Sequence, residues 1–385
     1  MRINDRITLE IESVAFGGSG VGRANGFVVF APFTAPGDLV EVEIVERKKQ
    51  FARGRLRNIL RPSPSRTSPL CRYYEQCGGC SYQHIAYPHQ LIIKQQQVAE
   101  TFFRIGKIAE LNMRDIIGSP SPYSYRGKAQ LHAEKWTDGF QLGLMDISGG
   151  KLVDIERCEI MDETINNQLS KIRKKEWAVF NNDTVTLWSQ YPDHFSGTIV
   201  RRVKGLEFLI PKNGFFQANL YLTDALVDAV CNLVHAKKRG TILDACCGSG
   251  LFSIFLASAA SRTVGVEISE ASVKYARLNA ERLKAQNTEF IAGNVDEVLQ
   301  NMAARKEVFD FALVDPPRTG LDPTALSALT GLHPEEIVYI SCNPSTQARD
   351  IRYLKDHGYR LHSLLPLDMF PQTEHIETIA HLQCT

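Results

Sequence analysis

The segment Thr241-Ile242-Leu243-Asp244-Ala245-Cys246-Cys247-Gly248-Ser249-Gly250 leaves few folds open to this chain. An apolar strand runs into a glycine turn, and the helix-compatible Leu251-Phe252-Ser253-Ile254-Phe255-Leu256 follows. Strand, glycine turn and helix in that order open a doubly wound α/β sheet, whose ligands sit at the carboxyl ends of the strands. Residues 263–267, 309–314 and 337–341 read as further strands, and 290–296 as a strand with its loop. From about residue 209 strands and helices alternate, as parallel sheets with crossover helices require.

The rest of the chain reads differently. Residues 3–62 are β-rich: Ile7-Thr8-Leu9-Glu10-Ile11-Glu12 and Leu39-Val40-Glu41-Val42-Glu43-Ile44 both alternate apolar with polar. Between them Phe16-Gly17-Gly18-Ser19-Gly20-Val21-Gly22 reads as a turn-rich run. Five short strands in this span make a small barrel. Residues 47–66 hold eight basic residues and no acid, with Arg53, Arg55 and Arg57 on one strand face. Such a row suits RNA phosphates; it equally suits an edge strand protected by charge. Arg61-Pro62-Ser63-Pro64-Ser65-Arg66-Thr67-Ser68-Pro69 is a linker by composition. Residues 91–110 look helical, with Gln95, Gln96 and Gln97 on the wet side. Residues 126–158 look like antiparallel strands turning at Asp138-Gly139 and Gly149-Gly150.

At 385 residues, 44% apolar and 23% charged, the chain has room for two or three domains. A net charge of +1 excludes a uniformly basic nucleic-acid coat but not a local basic face. The apolar stretch 251–260 holds two serines and is too short to span a bilayer. Met1-Arg2-Ile3-Asn4-Asp5-Arg6 shows no secretory pattern, so a cytoplasmic protein is expected. Its nine cysteines then point to metal binding or catalysis rather than disulfides.

Cys71, Cys77 and Cys80 stand within ten residues, and Cys158 in Ile155-Glu156-Arg157-Cys158 offers a fourth thiol. Four thiolates suit tetrahedral zinc or an iron–sulfur cube, and the ligand types alone do not separate the two. In the glycine turn the third glycine of a dinucleotide fingerprint is missing, and the chain has no P-loop, which disfavours a dinucleotide and ATP. S-adenosylmethionine needs an adenosine site without a pyrophosphate cradle. Glu267 ends the second strand, where an acid accepts bonds from ribose hydroxyls, and Asn294 falls near the adenine. Asp315-Pro316-Pro317-Arg318 ends the fourth strand at the ligand edge. Enzymes that methylate amino groups usually carry an aromatic where Arg318 stands, so carbon is the better acceptor. Cys342, in Ser341-Cys342-Asn343-Pro344, ends the fifth strand as a candidate nucleophile, ahead of Cys246 and Cys247. Glu374, His375 and Glu377, which follow a Pro-bounded loop, offer a base. C5 of uracil becomes nucleophilic when a thiolate adds at C6, and a base must then remove the C5 proton. The target pyrimidine has to be flipped out to reach such a site.

On these motifs the chain resembles the RNA uridine-5 methyltransferases, in particular the branch that modifies ribosomal RNA. The resemblance implies a TRAM RNA-binding barrel over residues 1–62 and a central iron–sulfur domain over 63–208. It implies an S-adenosylmethionine-dependent methyltransferase domain over 209–385. It implies [4Fe-4S] ligands at Cys71, Cys77, Cys80 and Cys158, with Tyr73, Tyr74 and Tyr82 either stacking on RNA bases or packing over the cluster. Lys212-Asn213-Gly214-Phe215-Phe216-Gln217-Ala218-Asn219 resembles the entry segment that brings Gln217 to the cofactor. Cys246, through its backbone, Gly248, Glu267, Asn294 and Asp315 complete the expected cofactor site. The implied catalytic residues are Cys342 as nucleophile, Glu377 as base and Asp315 holding uracil or cofactor in register. The implied partner is large-subunit ribosomal RNA, with the protein a monomer and no membrane involved. A 5-methylcytosine methyltransferase and a non-catalytic RNA-binding iron–sulfur sensor are the alternatives.

Overall fold

Two kinds of strand build the two units into which the chain divides. The structure is a computed structural model that describes residues 1–136, 139–174, 184–190, 197–234 and 239–385. One unit comprises Met1–Gln97, Ser121–Ser189 and Phe370–His375; the other comprises Val98–Pro120, Gln190–Met369 and Ile376–Thr385.

In the first unit β1 (Arg6–Val14), β2 (Ser19–Ala24), β3 (Phe27–Pro32), β4 (Leu39–Arg47) and β5 (Phe51–Arg61) close into a barrel in the order β1-β2-β3-β5-β4. The alternation seen in the sequence is what fills it. Leu9, Ile11, Val29, Val40, Val42, Ile44 and Ala52 point inward and are buried, while their neighbours face out. The glycine run is a turn only at Gly17 and Gly18, where φ is +100 and +82. Its second half is strand β2. A Cβ on Gly20 would lie 1.9 Å from Thr34 Oγ1, and one on Gly22 2.3 Å from the Glu10 carbonyl oxygen, so these glycines serve close strand packing.

The arginine row also needs correcting. Arg53, Arg55 and Arg57 do share the exposed face of β5, but that strand closes the barrel between β4 and β3, the latter pairing with it over Phe51–Arg53. Acids on β4 face the row. Arg53 pairs with Glu46 at 3.4 Å and Arg57 with Glu43 at 2.6 Å. Arg55 makes no ion pair with a described residue, and it borders a groove with Phe33, Val45, Leu56 and Ile59.

Helix α1 (Tyr87–Arg104) follows. Gln97 is not on its wet side: it is 6% exposed and donates to the Val14 carbonyl and the Tyr82 hydroxyl. β6 (Lys128–Trp136), β7 (Gly139–Met145), β8 (Leu152–Asp154) and β9 (Thr184–Trp188) form an antiparallel sheet in the order β8-β7-β6-β9, with α2 (Glu163–Ile172) set between β8 and β9 in the chain. The expected turn at Gly149-Gly150 is present, with Gly149 at φ +72 donating to the Asp146 carbonyl. Asp138 lies outside the described residues.

After Val98–Pro120 the second unit continues with a hairpin, β10 (Thr198–Val203) and β11 (Leu206–Pro211), and helix α3 (Thr223–Val234). The doubly wound part is β12 (Arg239–Ala245), α4 (Leu251–Leu256), β13 (Ala260–Glu267), α5 (Glu270–Arg282), β14 (Thr288–Ala292), α6 (Val295–Ala304), β15 (Phe311–Val314), α7 (Pro323–Gly331), β16 (Glu336–Ser341) and α8 (Pro344–Asp356). β17 (Tyr359–Leu367) and β18 (Glu377–Cys384) complete a seven-stranded sheet ordered β14-β13-β12-β15-β16-β18-β17. β12 to β16 are mutually parallel. Every residue of β15 and β16 is buried, as expected for strands covered on both faces. β18 runs antiparallel to both its neighbours, a reversal that the strand–helix alternation did not announce. No described helix is long and apolar enough to cross a membrane.

Candidate active site

That reversal sets the geometry of the site. In the antiparallel pairing of β16 with β18 the last matched pair is Ser341 with Thr378. One step further, the same register puts Cys342 opposite Glu377. Residues directly opposed in an antiparallel pair lie on the same face of the sheet. Two residues far apart in the sequence are thus neighbours by register alone. The join is reinforced from beneath: Thr378 Oγ1 donates to Gln347 Oε1 at 2.7 Å and lies 3.2 Å from the Ser341 carbonyl, while Gln347 Nε2 donates to the Tyr339 carbonyl at 2.7 Å.

Cys342 is half-buried and Glu377 is 4% exposed. Burial pushes the Cys342 thiol up to about 11, with the charge of Glu377 adding to the rise, and Arg318 pulls it back. Burial also holds Glu377 well above the usual carboxylate range; Asp315 adds to this and Arg318 opposes it. Asp315, one residue beyond β15, is raised to about 7 by burial and then by Asp244. Gln217 Nε2 reaches Asp315 Oδ2 at 3.4 Å. The structure therefore gathers Cys342, Glu377, Asp315 and Gln217 around one edge, together with Arg318. The sequence reading used Arg318 only to argue about the acceptor. Its signal was its place beside the two prolines at the ligand edge.

The glycine turn at the end of β12 has the expected strained form, with Cys246 at φ +67, Gly248 at +56 and Gly250 at +82. A Cβ on Gly248 would meet nothing within 4 Å, so the turn faces open space there. Gly248 N–H donates to Glu267 Oε2 at 3.0 Å and Ser269 N–H to Glu267 Oε1 at 2.8 Å, so two amides orient that carboxylate. Cys246 and Asn294 line a cleft of 360 Å³ with Ile268, Asp296, Pro316 and Pro317. Asn294 Oδ1 caps α6 by accepting from Asp296 N–H. Two buried polar atoms beside the turn, Asp244 Oδ1 and Ser249 Oγ, have no hydrogen-bond partner among the described residues. Asp244 is raised to about 7 by burial. Orphaned buried acceptors are rare in native proteins and fit a site built for a polar ligand. The donor set and the cleft volume suit an adenosine-bearing cofactor. Asp244 was readable in the sequence by the rule that picked Asp315, a carboxylate near the carboxyl end of a sheet strand.

In the first unit Cys71, Cys77, Cys80 and Cys158 line one cavity of 200 Å³, shared with Tyr73, Tyr74, Arg126 and His375. Among the described residues no group of three or more His, Cys, Asp or Glu side chains is arranged to hold a metal ion. The four expected ligands thus come together as a cavity lining, not as a closed single-ion site. Burial raises every one of these thiols, and the neighbouring thiols raise Cys80 further. Tyr74 and Tyr82 are buried and pack rather than face RNA. The Tyr74 hydroxyl is 2.6 Å from His84 Nδ1, and its ring meets Phe33 edge-on at 5.4 Å. Tyr73 is half-buried beneath the Arg72 guanidinium at 4.8 Å.

Comparison with known proteins agrees with this geometry. The family described as tRNA (uracil-5-)-methyltransferase matches residues 193–384, and the TRAM domain matches residues 2–56. An uncharacterised RNA methyltransferase of Listeria monocytogenes serovar 1/2a is 32% identical, covering 99% of this chain and 99% of its own. One from Halalkalibacterium halodurans is 29% identical over 99% and 97%. The Listeria alignment runs over 454 residues, more than the 385 of this chain, so that relative carries insertions this chain lacks. Among solved structures, the Pyrococcus abyssi tRNA (uracil-54, C5)-methyltransferase in complex with S-adenosyl-L-homocysteine superposes with a TM-score of 0.71 at 28% identity, covering 97% of this chain and 100% of that one. With a barrel that matches the TRAM domain, a methyltransferase sheet and a relative at this identity over its whole length, the chain belongs to the S-adenosylmethionine-dependent RNA (uracil-5-)-methyltransferase family.

Proposed function

We propose that the chain makes 5-methyluridine in large-subunit ribosomal RNA, acting as a cytoplasmic monomer. The observation that carries this reading is the register that opposes Cys342 and Glu377, with Arg318 acting on both. Bound S-adenosylmethionine supplies an electrophilic methyl group. The thiolate of Cys342 would add to C6 of a flipped uracil, and the C5–C6 π pair, moved to C5, would take the methyl as the sulfonium S–CH3 bond breaks and S-adenosylhomocysteine leaves as a neutral thioether. Glu377 removes the C5 proton; that electron pair re-forms the C5–C6 double bond as the C6–S bond breaks and the thiolate returns. A carboxylate held above its usual range is the stronger base for this task. Asp315 and Gln217, joined at 3.4 Å, hold the uracil edge or the cofactor in register. Cys246, Gly248, Glu267 and Asn294 bind the cofactor.

The same reading assigns the barrel, residues 1–62, to RNA, the stretch 63–208 to the thiol centre, and 209–385 to methyl transfer. Cys71, Cys77, Cys80 and Cys158 would hold a [4Fe-4S] cluster. What supports the assignment is that all four thiols line one cavity of 200 Å³. The cluster would supply metal–thiolate bonds that tie residues 71–80 to Cys158. A second reading is favoured by one comparison: the superposing Pyrococcus abyssi enzyme acts on tRNA and matches end to end.

Nucleoside mass spectrometry separates these readings. RNA from a strain deleted for the gene is treated with anaerobically purified protein and S-adenosylmethionine, then split into ribosomal and transfer fractions. New 5-methyluridine in the 23S fraction alone supports the proposal; its appearance in tRNA alone installs the second reading. New 5-methylcytosine would replace both.

A further inference from the structure

The loop Arg318 to Leu321 carries the guanidinium that acts on Cys342 and Glu377, and its backbone is tied down at nearly every residue. The Arg318 carbonyl accepts from Asn343 Nδ2 at 3.1 Å and shares the Thr346 hydroxyl proton with the Asn343 carbonyl, each 3.1 Å from Thr346 Oγ1. Arg349 Nη2 donates to the Thr319 carbonyl at 3.0 Å and to the Leu321 carbonyl at 3.3 Å. Leu321 N–H donates to Asp350 Oδ2 at 3.0 Å, and the Tyr339 hydroxyl donates to the same oxygen at 2.6 Å. Gly320, at φ +77, lets the loop lie flat: a Cβ there would sit 2.4 Å from Asp350 Oδ2 and 2.7 Å from Arg349 Nη2.

All these partners but Tyr339 belong to the opening turns of α8 or its cap, and that helix starts immediately after Cys342-Asn343. Asn343 serves two ends at once. Its Oδ1 caps α8 by accepting from Ser345 N–H at 3.1 Å, while its amide nitrogen holds Arg318. Loop and helix are therefore one rigid body, with the cation at one end and the thiol at the other.

We propose that Asn343, Thr346 and Asp350 form a latch that fixes the Arg318 loop to the Cys342 helix and so holds the guanidinium against the thiol. They are positioning residues for thiolate formation. None touches the reacting atoms; each fixes the loop backbone from which the exposed Arg318 side chain acts on the thiol. Thr346 is the sharpest probe, because it is half-buried and valine matches its shape without its hydroxyl.

This inference rests on Cys342 being the nucleophile, and its test keeps the two apart. Iodoacetamide alkylation of Cys342 is followed against pH in the full-length protein without RNA, by mass of the Cys342 peptide. Arg318→Met should lower the rate at a fixed pH below the thiol's pKa about tenfold, the effect of one nearby charge. Thr346→Val should lower it about threefold to fivefold, Thr346→Ser should restore it, and both should melt with the wild type. Asp350→Asn should act in the same direction. If Arg318→Met shifts the profile and Thr346→Val overlays the wild type, the latch is wrong while the nucleophile stands. If Arg318→Met changes nothing, the cation does not act on the thiol and the latch falls with it. Retained methylation by Cys342→Ala would instead remove the nucleophile reading on which both depend.

Discussion

Five cysteines of this chain are assigned metal-binding or nucleophilic roles, and they divide into two surroundings. Cys71, Cys77, Cys80 and Cys158 have mainly one another, and burial together with the neighbouring thiols raises Cys80 strongly. Burial raises Cys342 too, but Arg318 stands against it. Four thiols without a strong internal cation become thiolates only when something positive arrives from outside. Cys342 is raised as well, to about 11, but there a guanidinium of the chain itself opposes the rise.

The largest expected effect is at the single thiol. Cys342→Ala should lower turnover by roughly 10⁴-fold or more while leaving cofactor binding intact, since removal of a covalent nucleophile forfeits the whole addition route. Measured 5-methyluridine within tenfold of the wild type would break the comparison at its root. Glu377→Gln comes next, at roughly 10²- to 10⁴-fold. It should let the methyl transfer proceed and then strand the RNA on Cys342, seen as a protein–RNA band that survives denaturation. A variant that turns over slowly without accumulating that band would place the base elsewhere.

At the other thiol set, Cys158→Ser should prevent the proposed cluster from assembling and lower the melting temperature by more than about 5 °C, because a site assembled from distant ligands contributes its binding energy to folding. Alkylation of Cys342 in the same variant should keep its pH profile. Iron and inorganic sulfide unchanged by this substitution would show that Cys158 is not a ligand.

Smaller still is the effect of pH on the wild type. Cys342 and Glu377 both carry raised pKa values, and both are needed deprotonated. Their active forms therefore grow as pH rises and are lost as it falls. Single-turnover methylation should climb across roughly pH 6 to 9, approaching tenfold per unit where one group limits the rate. A profile that falls over this range would mean that a protonated form does the work.

Much of this was legible in the sequence, and the gaps have physical causes. The barrel could be read because a closed sheet with one filled face needs strict alternation, which β1 and β4 display. The glycine turn and its helix were legible because little else permits that backbone. Gln97 was misplaced because a glutamine run looks solvated until one amide finds two buried acceptors. The opposition of Cys342 and Glu377 was invisible: it comes from β18 running backward into a parallel sheet, and no local pattern encodes which neighbour a strand will choose. The latch was hidden for the same reason, since Thr346 and Asp350 look like ordinary helix residues until Gly320 lies against them.

The smallest effect carries the same lesson to the barrel, where three arginines on one face differ only in company. Arg53 and Arg57 are already matched by Glu46 and Glu43, whereas Arg55 makes no ion pair with a described residue. An arginine that brings its own carboxylate releases fewer counterions when it meets a phosphate, because its charge is partly spent beforehand. Arg55→Ala should therefore reduce the slope of log affinity for RNA against log salt by about 0.7 to 0.9, the share of one phosphate contact. Arg53→Ala should move the slope by less than half as much. Equal slopes for the two variants would show that the acids let go when RNA binds, and that the row acts as the unbroken basic strip its sequence describes.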